Sequence, residues 1–120
     1  MKFICRVGAI LVVLLLSTTV ASAATVNLAW DNPIDPDFAG IRVYRASGQC
    51  ISPGPFVTVK TYGKVDIGSD VVTSDGDYCY VATAIDTAGN ESIQSNKLGV
   101  TVNVNPPAAP LNLRSTGVTP

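Results

Sequence analysis

Residues 76–90, GDYCYVATAIDTAGN, constrain the fold of this chain more than any other stretch. Tyr78, Tyr80, Ala82 and Ala84 alternate with Cys79, Val81, Thr83 and Ile85. A period of two, rich in aromatic and β-branched side chains, predicts a strand at the centre of a sheet. Asp75-Gly76 before it and Ala88-Gly89-Asn90 after it are turn signals that bound it at both ends. The remaining alternating runs are short. Residues 25–30 set Val26, Leu28 and Trp30 against Thr25, Asn27 and Ala29, and Asp31-Asn32-Pro33 ends that run because proline cannot donate to a ladder. Residues 41–46 set Ile41 and Val43 against Arg42 and Tyr44. Residues 56–62 are rich in Val and Thr, and 96–104 alternate Leu98, Val100, Val102 and Val104. Between 64 and 73 two short strands are open, one on Val65 and Ile67 and one on Val71 and Val72, with Gly68-Ser69 interrupting them. No segment keeps a helical period over two turns. Six or so short strands with turn signals between them predict an all-β sandwich.

The totals bound the function. A chain of 120 residues, 47% apolar, has material for one domain. Eight basic residues less Lys2 and Arg6 leave six against nine acidic ones, a net charge of −3 beyond the N-terminus. A nucleic-acid partner is not expected, since no Lys/Arg patch is present to displace counterions from phosphates. Histidine is absent. That removes the commonest general base, the commonest zinc ligand and the Ser-His and Cys-His nucleophile systems.

The N-terminus reads as a secretory signal over 1–23. Lys2 and Arg6 give the positive start, residues 7–16 the apolar run, and Ala21-Ser22-Ala23 the small-x-small cleavage site. The competing reading is an uncleaved membrane anchor, but the run is short for a span and Ser17, Thr18 and Thr19 follow it. The expected location is secreted, periplasmic or at the cell surface, with no membrane contact after cleavage.

The pieces LAWD (28–31), AGIRVYR (39–45), DGDYCYVATAIDTAGNES (75–92) and SNKLGVTV (95–102) together resemble a fibronectin type III domain, in the short form common in secreted bacterial proteins. The resemblance covers about 25–104 and implies an immunoglobulin-like sandwich that lacks an N-terminal strand A. It implies that Trp30 is the core tryptophan of strand B. It makes Tyr78 the corner tyrosine that ties a turn to the backbone, with Val72 at the place of the corner's leucine. Residues 105–120, beginning PPAAPLNL at 106, look like the proline-led opening of a following module. Three fates are open for this tail. It is a free Pro-rich segment, or it folds back on its own domain, or Leu111 and Leu113 serve as a donor strand for a neighbouring molecule in head-to-tail association.

Cys50 and Cys79 follow the cleavage site. An even count in an exported protein favours a disulfide. In the implied topology the end of the 41–46 strand lies beside the start of the central strand, and Cys79 faces away from Tyr78 and Tyr80. A Cys50–Cys79 bond holding the 47–55 loop is therefore expected, with two free thiols as the alternative. The same topology gathers Asp31, Asp35 and Asp37 near Asp86, Asn90 and Glu91. Such oxygen donors could hold calcium, but Asp86 and Asn90 around Gly89 equally suit local turn chemistry. No other cofactor is expected. Asn90-Glu91-Ser92 is a glycosylation sequon, relevant in a eukaryotic secretory pathway. The functional expectation is a non-enzymatic module for protein–protein interaction, adhesion or spacing at the cell surface, its partner an unknown protein or glycan. The alternative is an accessory, carbohydrate-engaging module of a secreted polysaccharide hydrolase system, for which Tyr44, Phe56, Phe38 and Tyr62 are the available aromatics.

Overall fold

The computed structural model describes residues 22–120; all but the last two residues of the expected leader 1–23 lie outside the described residues. Alternation in the sequence becomes alternation of burial. In β1 (Ala24–Ala29) Val26 and Leu28 turn inward while Thr25, Asn27 and Ala29 face solvent. β2 (Phe38–Ser47) and β5 (Gly76–Asp86) are longer and form the middle of the larger sheet. β3 (Val57–Tyr62), β4 (Ile67–Val72) and β6 (Leu98–Val102) complete the set. Every pairing is antiparallel. One sheet has the order β1-β4 and the other β3-β2-β5-β6, and no helix occurs among the described residues.

The two sheets enclose a common core. Val26 and Leu28 from β1 and Val72 from β4 meet Ile41 and Val43 from β2, Tyr78 and Tyr80 from β5, and Val102 from β6. Each such side chain contributes roughly 1.5–3 kcal/mol by leaving water. Tyr78 also closes the turn between β4 and β5, its hydroxyl donating to the Ser74 carbonyl at 2.8 Å. Trp30 packs against this core. It stands half-buried at the rim, its indole tilted against Tyr62 at 5.3 Å between ring centres. Its Nε1–H donates to Asn32 Oδ1 and to the Val65 carbonyl. A ring with a polar handle settles where that handle finds acceptors.

The strand at 67–72 shows why the sequence left this region open. Gly68 and Ser69 do not interrupt it; they lie inside β4. A Cβ on Gly68 would stand 2.5 Å from the Tyr62 ring and 2.9 Å from the Trp30 ring. Glycine is what lets both rings close over the strand.

The small sheet has only two strands, and among the described residues no strand pairs with the outer edge of β1. Trp30 N–H donates to the Asp66 carbonyl and Ala29 stands opposite Ile67. Backbone groups alternate sides along an antiparallel strand. Those of Ala24, Val26 and Leu28 therefore point to β4, and those of Thr25, Asn27 and Ala29 point outward, unpaired among the described residues.

Candidate functional site

The loops 30–37 and 87–97 share one pole. Thr87 N–H donates to the Asp37 carbonyl across them at 2.9 Å. Asp35, Asp37, Asp86, Asn90 and Glu91 surround a shallow depression of about 230 Å³ there. Asp31 does not join them and lines a separate groove. Two of the carboxylates are already engaged. Asp86 accepts from the backbone of Ala88 and Asn90 and from Asn90 Nδ2, closing a turn in which Gly89 has a φ of 85°. Glu91 lies over the outer face of the large sheet and accepts from Tyr44, from Thr83 Oγ1 at 2.5 Å and from Arg42 at 3.2 Å. The Asn90 donors hold the Asp86 carboxyl below its ordinary range, and the Thr83 and Tyr44 hydroxyls, with Arg42, do the same for Glu91. Among the described residues no group of three or more carboxylate, cysteine or histidine side chains is arranged to hold a metal ion.

The loop after Glu91 is tied to β5 by an unusual device. Ser92 and Ser95 accept from the backbone N–H groups of Ala84 and Ala82 through their hydroxyls, while their own N–H groups donate to the same residues' carbonyls. Side-chain oxygens thus stand in for strand carbonyls and carry the ladder from Ile85 down to β6.

At the opposite pole the bridge Cys50–Cys79 covers the outer face. Ala46 stands opposite Cys79, and Gly99 of β6 opposite Cys79 on the other side. Cys50 Sγ lies 3.8 Å from where a Cβ on Gly99 would be, an ordinary contact distance, so the bridge sits over Gly99. Cys79 is 0% exposed. The 47–55 loop is further fixed by Gly48 N–H to the Asp77 carbonyl and Gly54 N–H to the Ser47 carbonyl, both 2.8 Å.

A third feature escaped sequence reading. Asp70, on the inward face of β4, accepts from Arg45 at 2.6 Å and from Tyr80 at 2.8 Å with the same oxygen. It ties β4 to both central strands of the large sheet. Burial, then the neighbouring carboxylate, pushes the Tyr80 hydroxyl up from its ordinary pKa. The available signal was the shared face of Asp70 and Val72 in a period of two.

The groove that holds Asp31 runs along the open side of the sandwich, with a volume of about 440 Å³. Leu28 and Trp30 form one wall, Tyr80, Ala82 and Leu98 the other, and Val43 lies at its floor. It adjoins the unpaired edge of β1. Of the expected carbohydrate-facing aromatics, Phe38 is buried in the core and Tyr44 is engaged with Glu91. Leu111 and Leu113 are 85% and 98% exposed, and residues 103–120 form no strand. No helix of the described residues is long and apolar enough to cross a membrane.

No protein-family model matches the chain, and no curated protein matches it in sequence.

Proposed function

We propose that the chain is an exported, non-enzymatic β-sandwich module of the fibronectin type III kind that works by binding a protein partner at the cell surface. The fibronectin-type reading is supported by the strand order, β1-β4 over β3-β2-β5-β6, and by the bond from Tyr78 to Ser74 at the turn before β5. Partner binding is carried by one observation. An unpaired β1 edge adjoins an apolar groove that reaches core residues, the arrangement through which sheets accept an extended segment from another protein. Export is supported by the Cys50–Cys79 bond, which is stable in oxidising compartments. A non-enzymatic role is supported by the absence of histidine and by the commitment of two loop carboxylates, Asp86 and Glu91, to hydrogen bonds.

Asn27→Pro tests this reading. It removes an outward N–H from the open edge without touching the bonds to β4, a position where an edge strand tolerates proline. Proteins retained from cell-envelope extract by the wild type should be lost with the variant, and a glycan array should stay empty. Glycan binding that survives Asn27→Pro, with no edge-dependent protein retention, would instead favour the carbohydrate-engaging alternative.

A further inference from the structure

We infer that the segment which fills the groove is residues 107–114 of a second copy of this chain, so that copies join head to tail. The inference rests on the partner-binding reading and names the partner. The groove needs an extended donor that presents apolar side chains on one face. Leu111 and Leu113 alternate with Asn112 and stand 85% and 98% exposed. The match extends to charge. Residues 24–104 carry nine acidic side chains against five basic ones, whereas the single charge of 105–120 is Arg114. Run antiparallel to β1, as every strand pair here runs, with the two leucines beside Trp30 and Leu28, the tail brings its one positive charge along a domain of net negative charge.

The partner is a second molecule because of where the tail leaves its own domain. Val104 N–H and the Asn105 side chain are held by Asp75, beside the start of β5. Gly76 pairs with Val102 there, and Ala24 pairs with Val72 at the same pole. The groove lies at the other pole, at Leu28–Asp31 and Leu98. An antiparallel donor must enter at that far end. The four residues 103–106 between β6 and that segment span about 14 Å when fully extended, less than the length of β1. A neighbour's tail has no such constraint. Tail and groove are different surfaces, so the contact is heterologous and propagates.

The test uses purified, oxidised protein. Light scattering should show the average mass rising more than about twofold between about 1 μM and about 1 mM, the range a single added strand can populate. Leu111→Ser with Leu113→Ser, at exposed positions that leave the core intact, should abolish the rise. So should Asn27→Pro. A synthetic peptide of residues 105–120 should suppress association, shift the emission of Trp30, the sole tryptophan, and move the amide resonances of Thr25, Asn27 and Ala29. A monomer at every concentration, with no response of Trp30 to the peptide, overturns the inference. If envelope proteins are still captured in an Asn27-dependent way, the partner-binding reading stands while this one falls. A monomer whose Trp30 emission shifts on the double serine substitution also overturns it, because the tail would then occupy its own groove.

Discussion

The Tyr80 hydroxyl donates to Asp70 Oδ2 at 2.8 Å inside the core, and the same oxygen takes Arg45 at 2.6 Å. One carboxylate oxygen therefore links β4 to both central strands of the opposite sheet. Asp70→Ala would leave a buried hydroxyl and a half-buried guanidinium without their acceptor. We expect a loss of about 2–4 kcal/mol in denaturant unfolding. Tyr80→Phe, which leaves Arg45 and Asp70 paired, should lose only about 1 kcal/mol.

Tyr78→Phe removes the bond to Ser74 while keeping the ring in the core. The expected cost is about 1 kcal/mol, read from the urea midpoint at unchanged slope. No change in midpoint would mean that the turn holds without it.

Gly68→Ala places a methyl 2.5 Å from the Tyr62 ring, so the ring must move. Tyr62 donates to the Ser69 carbonyl and accepts from its N–H, and it also packs on Trp30. We expect about 1–3 kcal/mol of destabilisation and a red shift in tryptophan emission as the indole is uncovered. An unshifted spectrum would show that the rings yield without separating.

How much of this was legible beforehand follows from these residues. The alternation at 78–85, the short strands around it and the Cys50–Cys79 pairing are local or topological signals, and the structure carries all three. Gly68 misled because its reason is a pair of aromatic rings arriving from elsewhere in the chain, which no local pattern records. The role of Asp70 becomes visible only once Arg45 and Tyr80 are placed around it. Trp30 is core by the resemblance and packs against the core half-buried, its Nε1–H on the Val65 carbonyl, a partner 35 residues away that no local pattern records. The hydroxyl rungs at Ser92 and Ser95 are also invisible, since serine in a loop ordinarily signals only a turn.

Acid should loosen the pole that carries the 87–97 loop. Asp86 and Glu91 have ordinary values of 3.8 and 4.5, and both are lowered in the fold by the donors they accept. A carboxyl with a depressed folded value contributes stability that is complete above its unfolded value and is lost as pH falls through the folded one. The protection of the Ala88 and Asn90 amides, taken relative to their intrinsic exchange at each pH, should therefore be unchanged from neutrality down to about pH 5 and fall below about pH 4. Glu91→Gln should remove the Glu91 part of this response and leave the Asp86 part.

Replacing Cys50 or Cys79 by serine opens a loop of sequence separation 29. In the chain-entropy account this costs about 3–4 kcal/mol, a large share of what a domain near 80 residues has to spare. Thermal unfolding of the variant should fall by well over ten degrees, about what that loss predicts for a domain this small.

The complete enclosure of Cys79 has a kinetic corollary. A soluble reductant cannot touch that sulfur while β5 keeps both its neighbours, so attack there waits for a fluctuation that parts the sheet. Attack on the Cys50 sulfur, which the loop carries, is a separate route. Comparing thiol release by a small reductant with release by a bulky one then separates breathing of the loop from breathing of the sheet beneath it.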